Sequence, residues 1–428
     1  MLRTLLVCLV CTVKCLALSP PGISWVRGYT DGTCESHNHA GVQTDDGGFL
    51  LVGDGECYDS PEKGFTRQIT VAKVDPTGNM QWLTNVGTVG FNYGKNGVEL
   101  PDGTFLVVGA ISEGTKENFV EKRVIIRFSK AGTVLHTQTF ENVENGGVDG
   151  LMGVAIAGPK LVVVTGYVKG VQTYTDQPMF LIQGGYAVLT KLLYSDDYTE
   201  DFKVIFEHIF DKPQDTTRFT AYQGMRVVVD ENGYTFSAAS YTTPEDGNTN
   251  FGLVRTDVDG NVRSMTYLPP SDGYQSHPYA FTAASDTGYV IAGLTLRYVD
   301  DSPQGRILKV SSTGEVEFDT SFRQERKGYS TECYGVSICP DGGYIVACGT
   351  GPETNQGSEP WQNLVQRVDR RGISLWKKVY TGENSRNGTG EYVVTDRVRG
   401  GYAIYMDTQD WGDRGTGGNF AIMHLDQD

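Results

Sequence analysis

Short apolar runs recur along the chain, each introduced by a polar, glycine-bearing turn. DGGFLLVG starts at Asp46, DGTFLVVG at Asp102, AGPKLVVVTG at Ala157 and DENGYTFSAA at Asp230, followed by SDTGYVIAG at Ser285, DGGYIVACG at Asp341 and RGGYAIYM at Arg399. Runs this short, rich in aromatic and β-branched residues and bounded by turn residues, predict buried strands rather than helix faces. Their first strand residues are Phe49, Phe105, Leu161, Tyr234, Tyr289, Tyr344 and Tyr402, spaced by about 56 residues with one longer step after Leu161. Between them lies a second hairpin signal, seen in KVDPTGNMQW, RFSKAGTVLH, RTDVDGNVRS, KVSSTGEVEF and RVDRRGISLW, where glycine suits the positive-φ turn position. Two hairpins make four strands per repeat. Seven such units cannot bury both faces alone, so they predict an all-β, seven-bladed β-propeller of four-stranded antiparallel blades.

The two ends extend the pattern. The final segment NFAIMHLDQD lacks an outer strand, whereas PPGISWVRGY near the start echoes RRGISLWKKVY at Arg370. The N-terminal strand is therefore expected to complete the last blade and close the ring without an open edge. With DGGYIVACG and RVDRRGISLWKKVY as the clearest examples, the repeats resemble the secreted propeller repeats described as Delta-60-like, over nearly the whole chain. The shared residues are turn glycines, strand aromatics and an outer-strand tryptophan, so the resemblance implies architecture and no activity. Blade 3 departs from the pattern: its second hairpin turn, within LLYSDDYTEDFKVIF, is long and acidic, which reads as a tolerated insertion or a partner-binding protrusion.

Residues 1–17 place Arg3 before an apolar run and small residues near Ala17, the pattern of a secretory signal peptide; residues 18–428 then form a single propeller domain. The run is too short for a membrane span. The expected localisation is secreted and extracellular. Net charge is −16, and loss of Arg3 and Lys14 makes the mature chain more acidic still, which argues against nucleic acid as a partner. A secretory route permits disulfides. Local spacing pairs Cys34 with Cys57 and Cys333 with Cys348, leaving Cys339 free, and Asn387-Gly388-Thr389 is a glycosylation sequon.

Candidate chemistry follows from the repeat. The first-to-second and third-to-fourth turns are short, while the connections at the opposite face are long and polar; the long-loop face is thus the expected functional face. Innermost strands enter the channel from that face. Twelve residues before each first strand residue stand His37, Tyr93, Asp149, Tyr222, His277, Glu332 and Gly390; ten before stand His39, Lys95, Leu151, Gly224, Tyr279, Tyr334 and Tyr392. His and Tyr suit general acid/base work, giving His37, His277 and Tyr222 as catalytic candidates. Arg226 suits a substrate carboxylate. His39, Tyr93, Lys95, Asp149, Arg226, Tyr279, Glu332 and Tyr334 are the ligand-binding candidates.

The expected function is a secreted propeller, a monomer, that binds a glycan, peptide or small polar ligand at the channel mouth. One rival is a polysaccharide-degrading enzyme with lyase-type chemistry, by analogy of fold and residue type; another is an adhesive or matrix protein. His37 and His39 share a strand face, but a third metal ligand is not evident, so no metal site is assigned. No cofactor is required; calcium is the ion that acidic loops such as Asp407, Asp410 and Asp413, or Asp300 and Asp301, could hold. No nucleophile elbow, phosphate loop or dinucleotide fingerprint is present in a suitable context.

Overall fold

The computed structural model describes residues 18–30, 34–57, 66–88, 90–115, 118–142, 147–170, 185–211, 219–241, 248–297, 303–326, 328–352, 359–382, 386–409 and 419–428. The leader assigned to 1–17 lies outside them, as do Asp300, Asp301, Asp410 and Asp413. Among the described residues the chain forms 28 β-strands. Five four-stranded antiparallel sheets stand separately, and an eight-stranded sheet is two more such units joined by one parallel bridge, Val148 to Glu121. The result is a seven-bladed propeller. Blades 1 to 6 cover 34–86, 93–139, 148–209, 220–268, 273–322 and 329–380, and blade 7 takes 388–425 together with Ile23–Tyr29.

The ring closes as the repeat predicts. The N-terminal strand Ile23–Tyr29 pairs antiparallel with Asn419–Leu425, setting Trp25 opposite His424 and Tyr29 opposite Phe420. Its packing repeats a device used between other blades, in which an outer-strand aromatic ring lies on the turn glycine of the next blade. Trp82 covers Gly132, Phe318 covers Gly372, and Trp25 covers Gly78. These glycines have φ near +80°, and an added Cβ would run into the ring. Tyr29, fully buried, also donates to the Gly78 carbonyl at 3.0 Å, so the closing strand is bonded to blade 1 as well as to blade 7.

The recurring turn aspartate has a structural task. In five blades it pairs with a basic residue near the end of the third strand: Asp46 with Lys73 (2.9 Å), Asp102 with Arg127 (2.5 Å), Asp286 with Lys309, Asp341 with Arg367 (2.7 Å) and Asp396 with His424 (3.0 Å). The four Lys and Arg side chains are buried, so their carboxylates neutralise charges that the interior could not otherwise hold, and His424 is buried beside Asp396. His424 lies on the third strand of blade 7, with Ile23–Tyr29 outside it. Blade 3's long acidic turn leaves residues 196–201 exposed. It folds back on blade 2: Arg127 donates to the Ser195 carbonyl at 2.8 Å and stacks over Tyr194 and Tyr198, while His136 reaches Asp201 at 3.0 Å.

Cys333 and Cys348 face each other on the two inner strands of blade 6 and are joined by a disulfide, and Cys339 is buried with a free thiol. Cys34 lies opposite Cys57 in the blade 1 register; only the backbone of these two residues is described. Among the described residues no helix is long and apolar enough to cross a membrane.

Candidate functional site

Every innermost strand carries a β-bulge at the same level. The register shifts between Asn38 and Ala40, Gly94 and Asn96, Leu151 and Gly153, Gly224 and Arg226, Pro278 and Ala280, Cys333 and Gly335, and Gly390 and Tyr392. A bulge re-aims the extra residue out of the ladder. Here that residue is His39, Lys95, Met152, Met225, Tyr279, Tyr334 and Glu391 in turn, one side chain per blade. The column counted ten residues back finds His39, Lys95, Tyr279 and Tyr334 but names Leu151, Gly224 and Tyr392 for the other three. The hairpin turns explain the slip. Gln43 pairs with Phe49 in blade 1, but Asp230 with Gly233 leaves a tighter turn in blade 4, Thr395 with Tyr402 a longer one in blade 7, and in blade 3 Gly158 already pairs with Leu161.

Blades 7, 1 and 2 supply the charged side of the channel mouth. His37 Nδ1 lies 3.2 Å from Asp407 Oδ2, and the Asn38 amide donates to the other oxygen of Asp407. His39 Nε2 bonds Asp54 Oδ1, and Arg67 Nε is 3.3 Å from Asp54 Oδ2. Lys95 Nζ and the Arg67 guanidinium lie over the Tyr93 ring at 5.0 and 5.4 Å. Glu121, buried, receives the Tyr167 hydroxyl at 3.5 Å.

Burial and neighbouring charge set the protonation states here. Burial works against the His37 imidazolium, but the Asp407 carboxylate, with Asp54 beyond it, outweighs this and lifts its pKa to about 9. His39 is driven the other way, by burial and then by the Lys95 charge, despite Asp54. Burial alone would raise the Asp54 carboxyl; His39 and Arg67 instead hold it well below the usual carboxylate range. Lys95 falls to about 8 through burial, reinforced by Arg67 and Arg226 and opposed by Asp54 and Glu121. Burial pushes Glu121 up to about 7, and burial with repulsion from Asp407 and Glu332 raises Glu391 well above the usual value.

Across the channel the lining is apolar. Met152, Met225 and Tyr279 pack with Val148, Tyr167 and Leu294, and Tyr334 leans on the same group. The Tyr279 and Tyr334 rings are 5.0 Å apart, and Tyr334 donates to Glu332 Oε2 at 2.5 Å. Arg226 spans the space just past the bulges: its guanidinium donates to the carbonyls of Met152 in blade 3 and, at 3.1 Å, of His39 in blade 1. Its terminal nitrogens are thus occupied by backbone oxygens.

The remaining candidates are scattered. Tyr222 is buried, bonds the Thr249 hydroxyl at 2.7 Å, stacks on Tyr241, and burial raises its phenol pKa. His277 is buried, faces Gln275 at 2.8 Å, and burial lowers its pKa to about 4. Asp149, fully buried, accepts from the Lys169 amide at 2.8 Å. The structure therefore gathers His37, His39, Tyr93 and Lys95, and separately Tyr279, Glu332 and Tyr334; Tyr222 and His277 make their bonds within blades 4 and 5. Asn387 is exposed, with its side-chain oxygen accepting from the Trp361 amide at 2.9 Å. No cluster of three or more metal-ligating side chains occurs among the described residues.

Sequence counting missed Asp54, Arg67, Glu121 and Glu391, and it named Asp407 only as a loop ligand for calcium, whereas Asp407 lies on the strand Tyr402–Thr408 beside His37. A signal existed for two of them: five residues past each first strand residue, Asp54 and Asp407 stand where the other blades have Ala110, Gly166, Ala239, Leu294 and Gly349.

No family model matches the chain, and no curated protein matches it. Solved structures similar to it include a protein of unknown function from Dyadobacter fermentans, 11% identical, covering 96% of this chain and 100% of that one with a TM-score of 0.48. The periplasmic gluconolactonase of Pseudomonas aeruginosa is 13% identical over 89% of this chain and 98% of that one, with a TM-score of 0.47. A mutant of the NanB sialidase from Streptococcus pneumoniae is 9% identical over 95% of this chain and 71% of that one, with a TM-score of 0.46.

Proposed function

We propose that this is an extracellular ligand-binding propeller whose channel mouth takes a small polar ligand, or the polar end of a glycan or peptide. One observation carries the reading. Seven inner-strand bulges present one side chain each, and the polar ones, His39, Lys95 and Glu391, sit on adjacent blades opposite a wall of methionine and tyrosine. Sites that hold small ligands combine such an apolar wall with a few convergent polar groups. Arg226, reaching from blade 4 to the His39 carbonyl of blade 1, favours a ligand held at the mouth over one that passes through.

The catalytic alternative has less support. Elimination needs a base and an acid near one sugar ring. Tyr222 is bonded to Thr249, and His277 is held neutral by burial, so neither stands ready beside His37.

The test is calorimetric titration of the secreted protein with oligoglucuronate, cello-oligosaccharide and short peptide probes, repeated on Lys95→Ala. The reading expects saturable binding of at least one probe and a loss of about tenfold or more in the variant, the size of a lost charged contact. Binding that is unchanged in Lys95→Ala would move the ligand away from the channel mouth. An increase in absorbance near 235 nm with oligoglucuronate would instead favour the lyase.

A further inference from the structure

Two carboxyl groups stand at the border of the apolar wall. Glu332, on the inner strand of blade 6, already accepts the Tyr334 hydroxyl. Glu391, turned out by the bulge of blade 7, is only 7% exposed, and among the described residues its carboxyl has no hydrogen-bond or ion-pair partner. A buried acidic residue to which the protein offers no partner calls for an explanation. Near it lie Tyr279 and Tyr334, whose rings pack on each other 5.0 Å apart at 44°, and the thioethers of Met152 and Met225 belong to the same wall.

Resting on the channel-mouth reading above, we infer that this corner binds an organic ammonium group, seated against the paired rings of Tyr279 and Tyr334 and paired with Glu391 and Glu332. The chemistry suits a cation with an apolar skin. Aromatic faces attract alkylammonium ions through the ring quadrupole, most strongly where water is excluded, and methionine adapts to the methyl or methylene groups around the charge. A bare metal ion would need more oxygen ligands than this corner offers. A neutral ligand of the same shape would leave Glu391 unpaired.

The arrangement fixes the expected pH dependence. Glu391 faces Glu332 from blade 6, Asp407 from its own blade, Asp54 from blade 1 and Lys95 from blade 2. Burial and the three acidic neighbours favour its protonated form in the free protein, and Lys95 opposes them. An ammonium ligand needs the carboxylate. Binding must therefore release a proton, and affinity must rise with pH while Glu391 is still protonated in the free state.

The experiment is calorimetric titration of the full secreted protein with tetramethylammonium and n-butylammonium, against neopentyl alcohol as the neutral match in shape. The two cations separate a quaternary head group from a lysine-like one. Binding of either cation, at least tenfold tighter than the alcohol, tightening with pH and weakened about tenfold or more by Glu391→Gln, supports the inference. Glu332→Gln is the second variant should the first fail to fold, and a weakening of similar sense is expected. Equal affinity for alcohol and cation, no binding of either cation, or cation binding indifferent to both substitutions overturns it. If the cations fail while oligoglucuronate binds and is lost in Lys95→Ala, the channel-mouth reading stands and only the ammonium corner falls. If no probe binds and no channel substitution has an effect, both fall.

Discussion

The two halves of the channel mouth are built on the same backbone and solve opposite problems. In blades 7, 1 and 2 the bulges present Glu391, His39 and Lys95, and the second and third strands rise behind them with Asp407, Asp54, Arg67 and Glu121. In blades 3 to 6 the same bulges present Met152, Met225, Tyr279 and Tyr334, backed by Val148, Tyr167 and Leu294. A repeated fold thus supplies equivalent positions, and what fills them decides the chemistry. The charged half must pair its groups or shift their protonation, whereas the apolar half only needs to pack.

The sharpest way to break this contrast is to remove the carboxylate at the centre of the charged half. Asp54→Ala leaves Arg67 and His39 without their shared partner, and stability should fall by about 3–5 kcal/mol, read by urea denaturation. A loss below about 1 kcal/mol would mean that the group is not a buried ion pair. Arg226→Met comes next. It strands the carbonyls of Met152 and His39 that the guanidinium now binds, at a cost of about 1–3 kcal/mol. On the apolar half, Met225→Leu preserves volume and should cost less than about 1.5 kcal/mol. If that exchange proved as damaging as Asp54→Ala, the distinction between pairing and packing would fail.

A smaller effect follows from His37. Its folded-state pKa, about 9, lies above its unfolded value, so its contribution to stability is complete below about pH 6.5 and is lost as pH rises through 9. The imidazole is partly exposed, so screening keeps the contribution small. A melting temperature measured from pH 6 to pH 10 should decline in that window, and less so in Asp407→Asn.

The difference between the halves also explains what could be read in the sequence. Turn glycines and strand aromatics repeat because every blade needs them, so the seven units, the closing strand at Trp25 and the pairing of Cys333 with Cys348 are visible in spacing alone. The mouth depends on register, and register depends on turn length. One residue more or less in the hairpins after Thr395 and Asp230 was enough to hide Glu391 and Met225 behind Tyr392 and Gly224. Arg67 and Glu121 lie on third strands, near His39 and Lys95 in space but not in the repeat columns of the inner strand. Tyr222 and His277 had the right column and the wrong surroundings: each is buried against its own blade.

The most direct test of the divided mouth is a single NMR titration that follows the ring protons of His37 and His277 in one sample. They occupy equivalent positions on inner strands of blades 1 and 5. His37, held by Asp407, should titrate near 9, and His277, buried without a carboxylate beside it, near 4. Midpoints that coincide near the ordinary value of about 6.5 would contradict the account, because the two halves would then offer a proton the same environment.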